Sequence, residues 1–278
     1  VDLDTEEDLH LENLYSSSGF VREAGADVAM PLQLLANNPL APVKVNGIRV
    51  NVEVTDGRIS RVLTSEGDYE AETVILAAGM WSRELGRKLG LHIPACAVEH
   101  QYIVTDEVPE LVERKKAGLP EMAVLRESDS SYYLREERQG YILGPYEKGA
   151  PACFVDGVPE TFGQDLFPGD LERLLPHVEA AIKRVPSFEN AGIKNIVNGP
   201  IAYTPDGSPM IGPAWGLKNF WMNEGHSFGV TAAGGSGWQL AEWITEGEPG
   251  IDMMDVDPRR FGAYATKPYT KIKNEECY

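Results

Sequence analysis

Residues 71–91 read AETVILAAGMWSRELGRKLGL, and this stretch decides the fold class. Thr73 to Ala77 is a short, almost wholly apolar run, as a strand buried on both faces of a parallel sheet requires. Ala78-Gly79 then ends it with minimal side chain, and Ser82 is placed to cap a helix running to Leu89. A strand that stops in small residues and turns into a helix is where α/β folds bring backbone close to a ligand. The expected class is α/β, mixed with α+β character.

Upstream, Ile48 to Val54 alternates Ile and Val on one face, the turn TDGR follows, and ISRVLTSEG runs to a second turn. That is a β-meander. The first 40 residues carry only a weak helical pattern at 5–15, and a second helical start at 25–42 is broken by Pro39 and Pro42. Downstream, residues 98–147 read as alternating strands, and 167–185 as a helix with Asp170 near its start and Pro176 marking a break or second start. Residues 192–213 read as strand, turn, strand. Residues 219–247 read as strand, glycine-rich turn and a helix ending at Gly247. The tail after Arg260 is polar and reads as a linker.

The 278 residues carry 25 basic and 43 acidic side chains, a net charge of −18, which disfavours nucleic acid as a partner. No run of about 18 apolar residues is present to span a bilayer. The opening VDLDTEEDLH has no apolar core of a signal peptide. Cys96, Cys153 and Cys277 lie far apart and suit a reducing compartment rather than a disulfide framework or a zinc site. The sequence contains no Walker A, HExxH or GxSxG motif and no metal-ligand cluster, so hydrolytic and metal chemistry lack support.

Three constellations could carry chemistry. In GHSFGVTAAGGSGWQLAEWI the glycines from Gly225 onward allow close approach of backbone amides to a flat or anionic ligand. Close packing of a helix on a sheet explains the same pattern, and spacing alone leaves both readings open. TPDGSPMIGP, residues 204–213, is a stiff double turn that serves either as a plain loop or as a preordered ligand wall. His100, with Tyr132-Tyr133 on another candidate strand, supplies an imidazole and phenols for binding a carboxylate or taking a proton from an amine. Half-buried sheet residues would look the same. His226 sits inside the glycine-rich turn, where a bulky polar side chain is less expected.

Taken together, these segments resemble the FAD-dependent amine oxidoreductases of the D-amino-acid oxidase-like superfamily, in particular the dimethylglycine and sarcosine dehydrogenase branch. The matching stretches are VILAAGMWSRELG, VEHQYIVT, SSYYLREERQGYILGPYE, NIVNGPIAYTPDGSPMIGP, GHSFGVTAAGGSGWQLAEWITEGEP and DVDPRRFG, in the family's order. The resemblance implies FAD, with Val54 at its adenosine part and Ala78, Gly79 and Trp81 beside the flavin. It places Pro205, Asp206 and Gly212, and the turn Gly225, His226, Ser227, Phe228, Gly229, Val230 and Thr231, around the ribityl chain and ring. His100 and Tyr133 fall on its substrate side, with His226 the third candidate for a catalytic role.

The implied architecture is a partial FAD-binding, Rossmann-like domain (43–95 and 196–260) interleaved with an antiparallel-sheet substrate domain (96–195). Residues 1–42 form a remnant of unclear structure and 261–278 a linker-like tail. The family's opening strand with its G-x-G-x-x-G turn and ribose-binding acid is missing from this sequence, so the expectation is a fragment or a chain that lost its beginning. The Thr55-Asp56 turn is shorter than the family's, and the flavin-linking histidine of the opening region has no position here. The implied activity is oxidative N-demethylation of a small N-methylated amino acid, dimethylglycine or sarcosine in type, with hydride passing to FAD. Electrons would go on to an electron-transfer flavoprotein or oxygen. The tail KPYTKIKNEECY resembles a linker to a folate-binding module. The implied location is the cytoplasm, or the mitochondrial matrix in a eukaryote. The alternative is a non-catalytic subunit that acts through a partner chain, and a third reading is a domain that binds a small amino acid without redox chemistry.

Overall fold

A computed structural model of the chain describes residues 20–22, 29–31, 50–159, 161–163 and 165–278. In chain order the strands are β1 (Phe20–Arg22), β2 (Ala29–Pro31), β3 (Val50–Thr55), β4 (Arg58–Thr64), β5 (Gly67–Tyr69), β6 (Val74–Leu76), β7 (Cys96–Thr105), β8 (Leu125–Glu127), β9 (Tyr132–Glu137), β10 (Gly140–Pro145), β11 (Ala152–Cys153), β12 (Ile193–Tyr203), β13 (Met210–Pro213) and β14 (Phe220–Glu224). The helices are α1 (Ser82–Lys88), α2 (Pro109–Lys116), α3 (Leu171–Arg184), α4 (Gly229–Glu246) and α5 (Lys267–Cys277). The helical pattern expected at 5–15 lies outside the described residues. Within the second helical start, Ala29–Pro31 is instead a strand paired antiparallel with Phe20–Arg22, consistent with the extended bias that Pro31 places on Met30.

The described residues form two compact units. The first takes those up to Ala97, together with Phe154–Gly163 and Ala202–Cys277. Here β6 lies parallel to β14, with Val74, Ile75 and Leu76 opposite Phe220, Trp221 and Met222, and β13 pairs antiparallel on the outer side of β14. The apolar run at 73–77 is thus a parallel strand, as its composition requires. The β3–β4–β5 meander turns at Asp56-Gly57, both with positive φ (51° and 74°), the geometry a two-residue Asp-Gly hairpin favours. Asn219 ties the meander to this sheet, accepting from Ile59 N–H at 2.8 Å and donating to Ile59 C=O at 3.0 Å.

One face of β14 points Phe220 and Met222 into a core with Leu76, Leu85, Ile93 and Met210. On the other face Trp221 meets Trp243 of α4 edge-on at 5.9 Å, beside Ile211 and Leu240. The tail beyond Arg260, polar enough to read as a linker, contains α5. Its Asn274 is buried and donates to Cys96 C=O and Tyr203 C=O, so these hydrogen bonds dock it together with the half-buried Tyr269, which packs against the core.

The second unit, Val98–Cys153 with Gln164–Ile201 and Tyr278, is built on an antiparallel sheet of order β11-β7-β10-β9-β8, with β12 also on β7. Helix α3 packs Leu174 and Ala181 with Ile103, Leu143 and Phe188. Asp170 caps it, accepting from Arg173 N–H at 3.2 Å. Pro176 lies inside α3 without ending it, because so near the start its missing donor removes only one early-turn bond. Alternation in 98–147 did not show α2, which opens on Pro109 at its first turn and carries Arg114, Lys115 and Lys116 in its last.

Candidate functional site

Because β6 and β14 are parallel and in register, the segments that follow them emerge at the same end of the sheet. These are Ala78–Trp81, a short 3₁₀ turn, and Gly225–Thr231, the turn into α4. The carboxyl ends of parallel strands are where open α/β sheets accept ligands. A third segment joins them. Gly225 has φ of +73° and abuts Thr204, whose Cγ2 would stand 2.6 Å from an added Cβ. Only a residue without a side chain brings the 204–213 loop this close to the turn.

Inside that loop Thr204 donates to Ser208 C=O at 2.7 Å and to Asp206 Oδ1 at 3.1 Å. Asp206 in turn is paired in bidentate fashion with Arg260, at 2.7 and 3.0 Å. Burial by itself would raise the Asp206 carboxyl, but Arg260, the Ser208 N–H and the Thr204 hydroxyl override it and hold the group below its ordinary value. Asp206 therefore stiffens the loop, and Pro205 precedes it. Gly212 lies under Trp243, with ring atoms at 2.7 Å from a would-be Cβ, and so seats α4 on the sheet. Val54 is half-exposed on β3.

The start of α4 is open. No side chain caps it, its first turn holds no acidic residue, and Phe228 and Val230 are exposed, the latter at 72%. The first backbone N–H groups of a helix have no intrahelical acceptor and attract polar or anionic groups. His226 shares its Nε2 with Asn223 Oδ1 at 2.7 Å, leaving Nδ1 buried without a partner. Burial lowers the affinity of this imidazole for a proton and keeps it neutral. Trp81 likewise holds a buried Nε1–H that donates to nothing among the described residues. Orphaned donors and acceptors around an uncapped helix suit a large ligand with several polar atoms, as a flavin cofactor is.

In the second unit His100 lies on β7 and Tyr133 on β9. Sequence reasoning did not find Tyr146, whose ring centroid is 5.5 Å from His100. It also acts electrostatically on Tyr133, as does Tyr102. The structure thus gathers His100, Tyr102, Tyr133 and Tyr146 into one aromatic group. His100 Nδ1 shares a hydrogen bond with the Tyr278 hydroxyl. Burial depresses the His100 imidazole and raises the Tyr133 phenol, so both are neutral near pH 7.

The ring of Tyr133 lies over Gly144, its partner across the β9–β10 pair; a Cβ there would fall 2.1 Å from Tyr133 Cζ. Gly144 was not legible as a site residue, because a glycine in a strand pattern marks any close approach.

A buried polar network fixes the strands beside this group. Gln101 and Glu147, the neighbours of His100 and Tyr146 in sequence, meet at 3.1 Å, and Arg173 Nε stands 2.9 Å from Glu147 Oε2. Arg173 and Asn198 both donate to Glu99 Oε2 at 3.1 Å. Burial raises Glu147, opposed by Gln101 and Arg173. Replacing Arg173 with Met would leave Glu147 buried with no cation. The expected loss is about 3–5 kcal/mol of unfolding free energy. Urea denaturation measures it, and a cost below about 1 kcal/mol would show that the network is dispensable.

No disulfide joins the described cysteines, and no cluster of metal-ligating side chains occurs among the described residues. No described helix is long and apolar enough to cross a membrane. Residues 40–243 match the family described as "DAO: FAD dependent oxidoreductase". Mitochondrial dimethylglycine dehydrogenase of Rattus norvegicus is 45% identical over 222 residues, covering 78% of this chain and 25% of that protein. Mitochondrial sarcosine dehydrogenase of Mus musculus is 36% identical over 238 residues, covering 85% of this chain and 24% of that protein. The chain spans about a quarter of the length of these curated relatives. Among solved structures, L-proline dehydrogenase from P. horikoshii superposes with a TM-score of 0.61 at 25% identity, over 77% of this chain and 54% of that one.

Proposed function

Since this chain belongs to the FAD-dependent oxidoreductase (DAO) family, we propose that it is the catalytic part of an enzyme that oxidises a small N-methylated amino acid, of the dimethylglycine or sarcosine type. Both substrates appear in the names of curated relatives that match most of this chain. The observation that carries the reading is the open end of the parallel β6–β14 pair, where an uncapped helix start and the orphaned His226 Nδ1 and Trp81 Nε1 stand ready for a cofactor.

In this reading Ala78–Trp81, the 204–213 loop and Gly225–Thr231 hold FAD, which when bound supplies the acceptor for the hydride leaving the substrate. Backbone N–H groups at the start of α4 favour the charge that gathers on the cofactor, and the helix end adds to it. Tyr133, whose phenol burial keeps protonated, donates to the substrate carboxylate. His100, neutral through burial, takes the proton of the entering ammonium at its free Nε2, leaving the neutral amine that can lose hydride. Oxygen and an electron-transfer flavoprotein both fit as electron acceptors, and reoxidation in air tells them apart. Titration of the purified chain with FAD tests the cofactor assignment: saturable quenching of flavin fluorescence is expected, and its absence would refute flavin binding by this chain.

A further inference from the structure

Glu224, the last residue of β14, has no place in the chemistry above, yet it is the most anomalous side chain in the first unit. It continues the inward series Phe220, Met222, Glu224 and is 1% exposed. Neither carboxyl oxygen has a hydrogen-bond partner in good geometry. Leaving a buried polar group unpaired is costly, and leaving a buried charge unpaired costs far more.

Its surroundings explain where it acts. From α1 the Ser82 hydroxyl faces it, close enough to favour the ionised form but short of a well-formed hydrogen bond, and the Glu84 carboxyl acts on it as a like charge. Glu84 is itself held by Arg83 at 3.5 Å. Cys96 of β7 and Glu275 of α5 belong to the same Arg83–Glu84 surroundings. On the 204–213 side, Thr204 and Met210 lie against the adjoining Gly225. Arg83 is the one cation in this set, and it is engaged with Glu84 and with the Phe154 and Val155 carbonyls.

Ser82 was expected to cap α1. It does not: Trp81 occupies the cap position without a side-chain bond, and the Ser82 hydroxyl is turned to Glu224 instead. The two residues flank the two turns from opposite sides. Ser82 directly follows the Gly79–Trp81 turn, where α1 begins, and Glu224 directly precedes Gly225, where β14 ends.

We propose that Glu224 is a positioning residue, a latch between the Ala78–Trp81 and Gly225–Thr231 turns that is closed while its carboxyl is a neutral acid and opens when the carboxyl ionises. The proposal rests on the flavin reading for what the latch holds, but not for how it works. Burial pushes this carboxyl up to about 8, so the acid is predominantly neutral at pH 7 and charged at pH 9. Ionisation places an unpaired charge beside Glu84, and parting of the two turns relieves it by admitting water.

Hydrogen exchange of the chain without added cofactor tests this directly. The N–H groups of Trp81, Ser82 and Ala232, bonded to Ala78, Gly79 and Phe228 carbonyls, report on the two turns. Protection factors at these amides should fall by about tenfold per pH unit as the pH rises from the ordinary carboxyl value of 4.5 to about 8, and level off above it, since opening releases one proton in that window. In Glu224→Gln they should not change with pH. Ser82→Ala, which removes the hydroxyl that favours the charged form, should move the midpoint to higher pH, and Glu84→Gln should move it to lower pH. Wild-type protection that tracks Glu224→Gln at every pH, or midpoints unmoved in both other variants, would overturn the latch. A FAD titration on the same samples separates the two ideas: failure to bind FAD refutes the flavin reading, while the exchange data still decide the latch.

Discussion

Glu224→Gln leaves the unfolding free energy of this chain unchanged near pH 4 and raises it increasingly towards pH 9. The direction follows from linkage. A carboxyl whose proton affinity is higher in the folded state than in the unfolded chain favours folding fully below its ordinary value of 4.5. That contribution is lost as the pH rises to about 8, the value burial imposes, and is constant above it. Each pH unit in the window is worth about 1.4 kcal/mol, so the wild type and the variant should diverge by at most roughly 5 kcal/mol at the alkaline end, and by less where parting of the two turns relieves the charge. Glutamine is close in volume and carries no charge to desolvate. Urea denaturation of both proteins between pH 4 and pH 9 reads the difference, and two parallel profiles would show that Glu224 is not the neutral acid described here.

A second large effect is expected on the opposite unit. Gly144→Ala places a Cβ far inside van der Waals contact with the Tyr133 ring, at 2.1 Å from Cζ and 2.3 Å from the hydroxyl oxygen, so the ring must leave its seat. Overpacking of this kind costs typically 1–3 kcal/mol of stability. If Tyr133 orients the substrate, its displacement also lowers kcat/KM by about 100-fold, the penalty for misplacing a positioning group by about an ångström. A double-mutant cycle isolates the cause. In a Tyr133→Ala background the added methyl should be nearly free in stability, because the atoms it strikes are gone. An equal cost in both backgrounds would place the strain elsewhere.

What could be read from the sequence followed the strength of local signals. The apolar run Thr73–Ala77 read as a parallel strand, which it is, although only Val74 and Leu76 are buried and Ile75 is half-buried on the other face; the Asp56-Gly57 and Gly247 turns carry residues suited to positive φ. Helix α2 escaped because its eight residues hold one buried apolar position, Leu111, and a charged exterior, which does not stand out between strands. Helix α5 escaped because Asn274 docks it through hydrogen bonds, and such bonds leave no hydrophobic period.

In the site, the segments were legible but the pairings were not. Glu224 was visible in principle, as a carboxylate on the inward phase of FWMNE, whereas its pairing with Ser82 depends on two strands 146 positions apart in register. Tyr146 and Gly144 are distinguished only by what lies across β9–β10 and β7–β10. The tasks found for Asp206 and Gly212, a clamp by Arg260 and a seat for Trp243, likewise belong to tertiary contacts.

The central claim is that this chain holds a flavin and passes substrate electrons to it. The most direct measurement is the visible absorption spectrum of the FAD-loaded chain under anaerobic conditions, before and after addition of dimethylglycine, with glycine as the unmethylated control. The long-wavelength flavin band should bleach with dimethylglycine and persist with glycine. A bound flavin that stays oxidised with dimethylglycine and with sarcosine would contradict it.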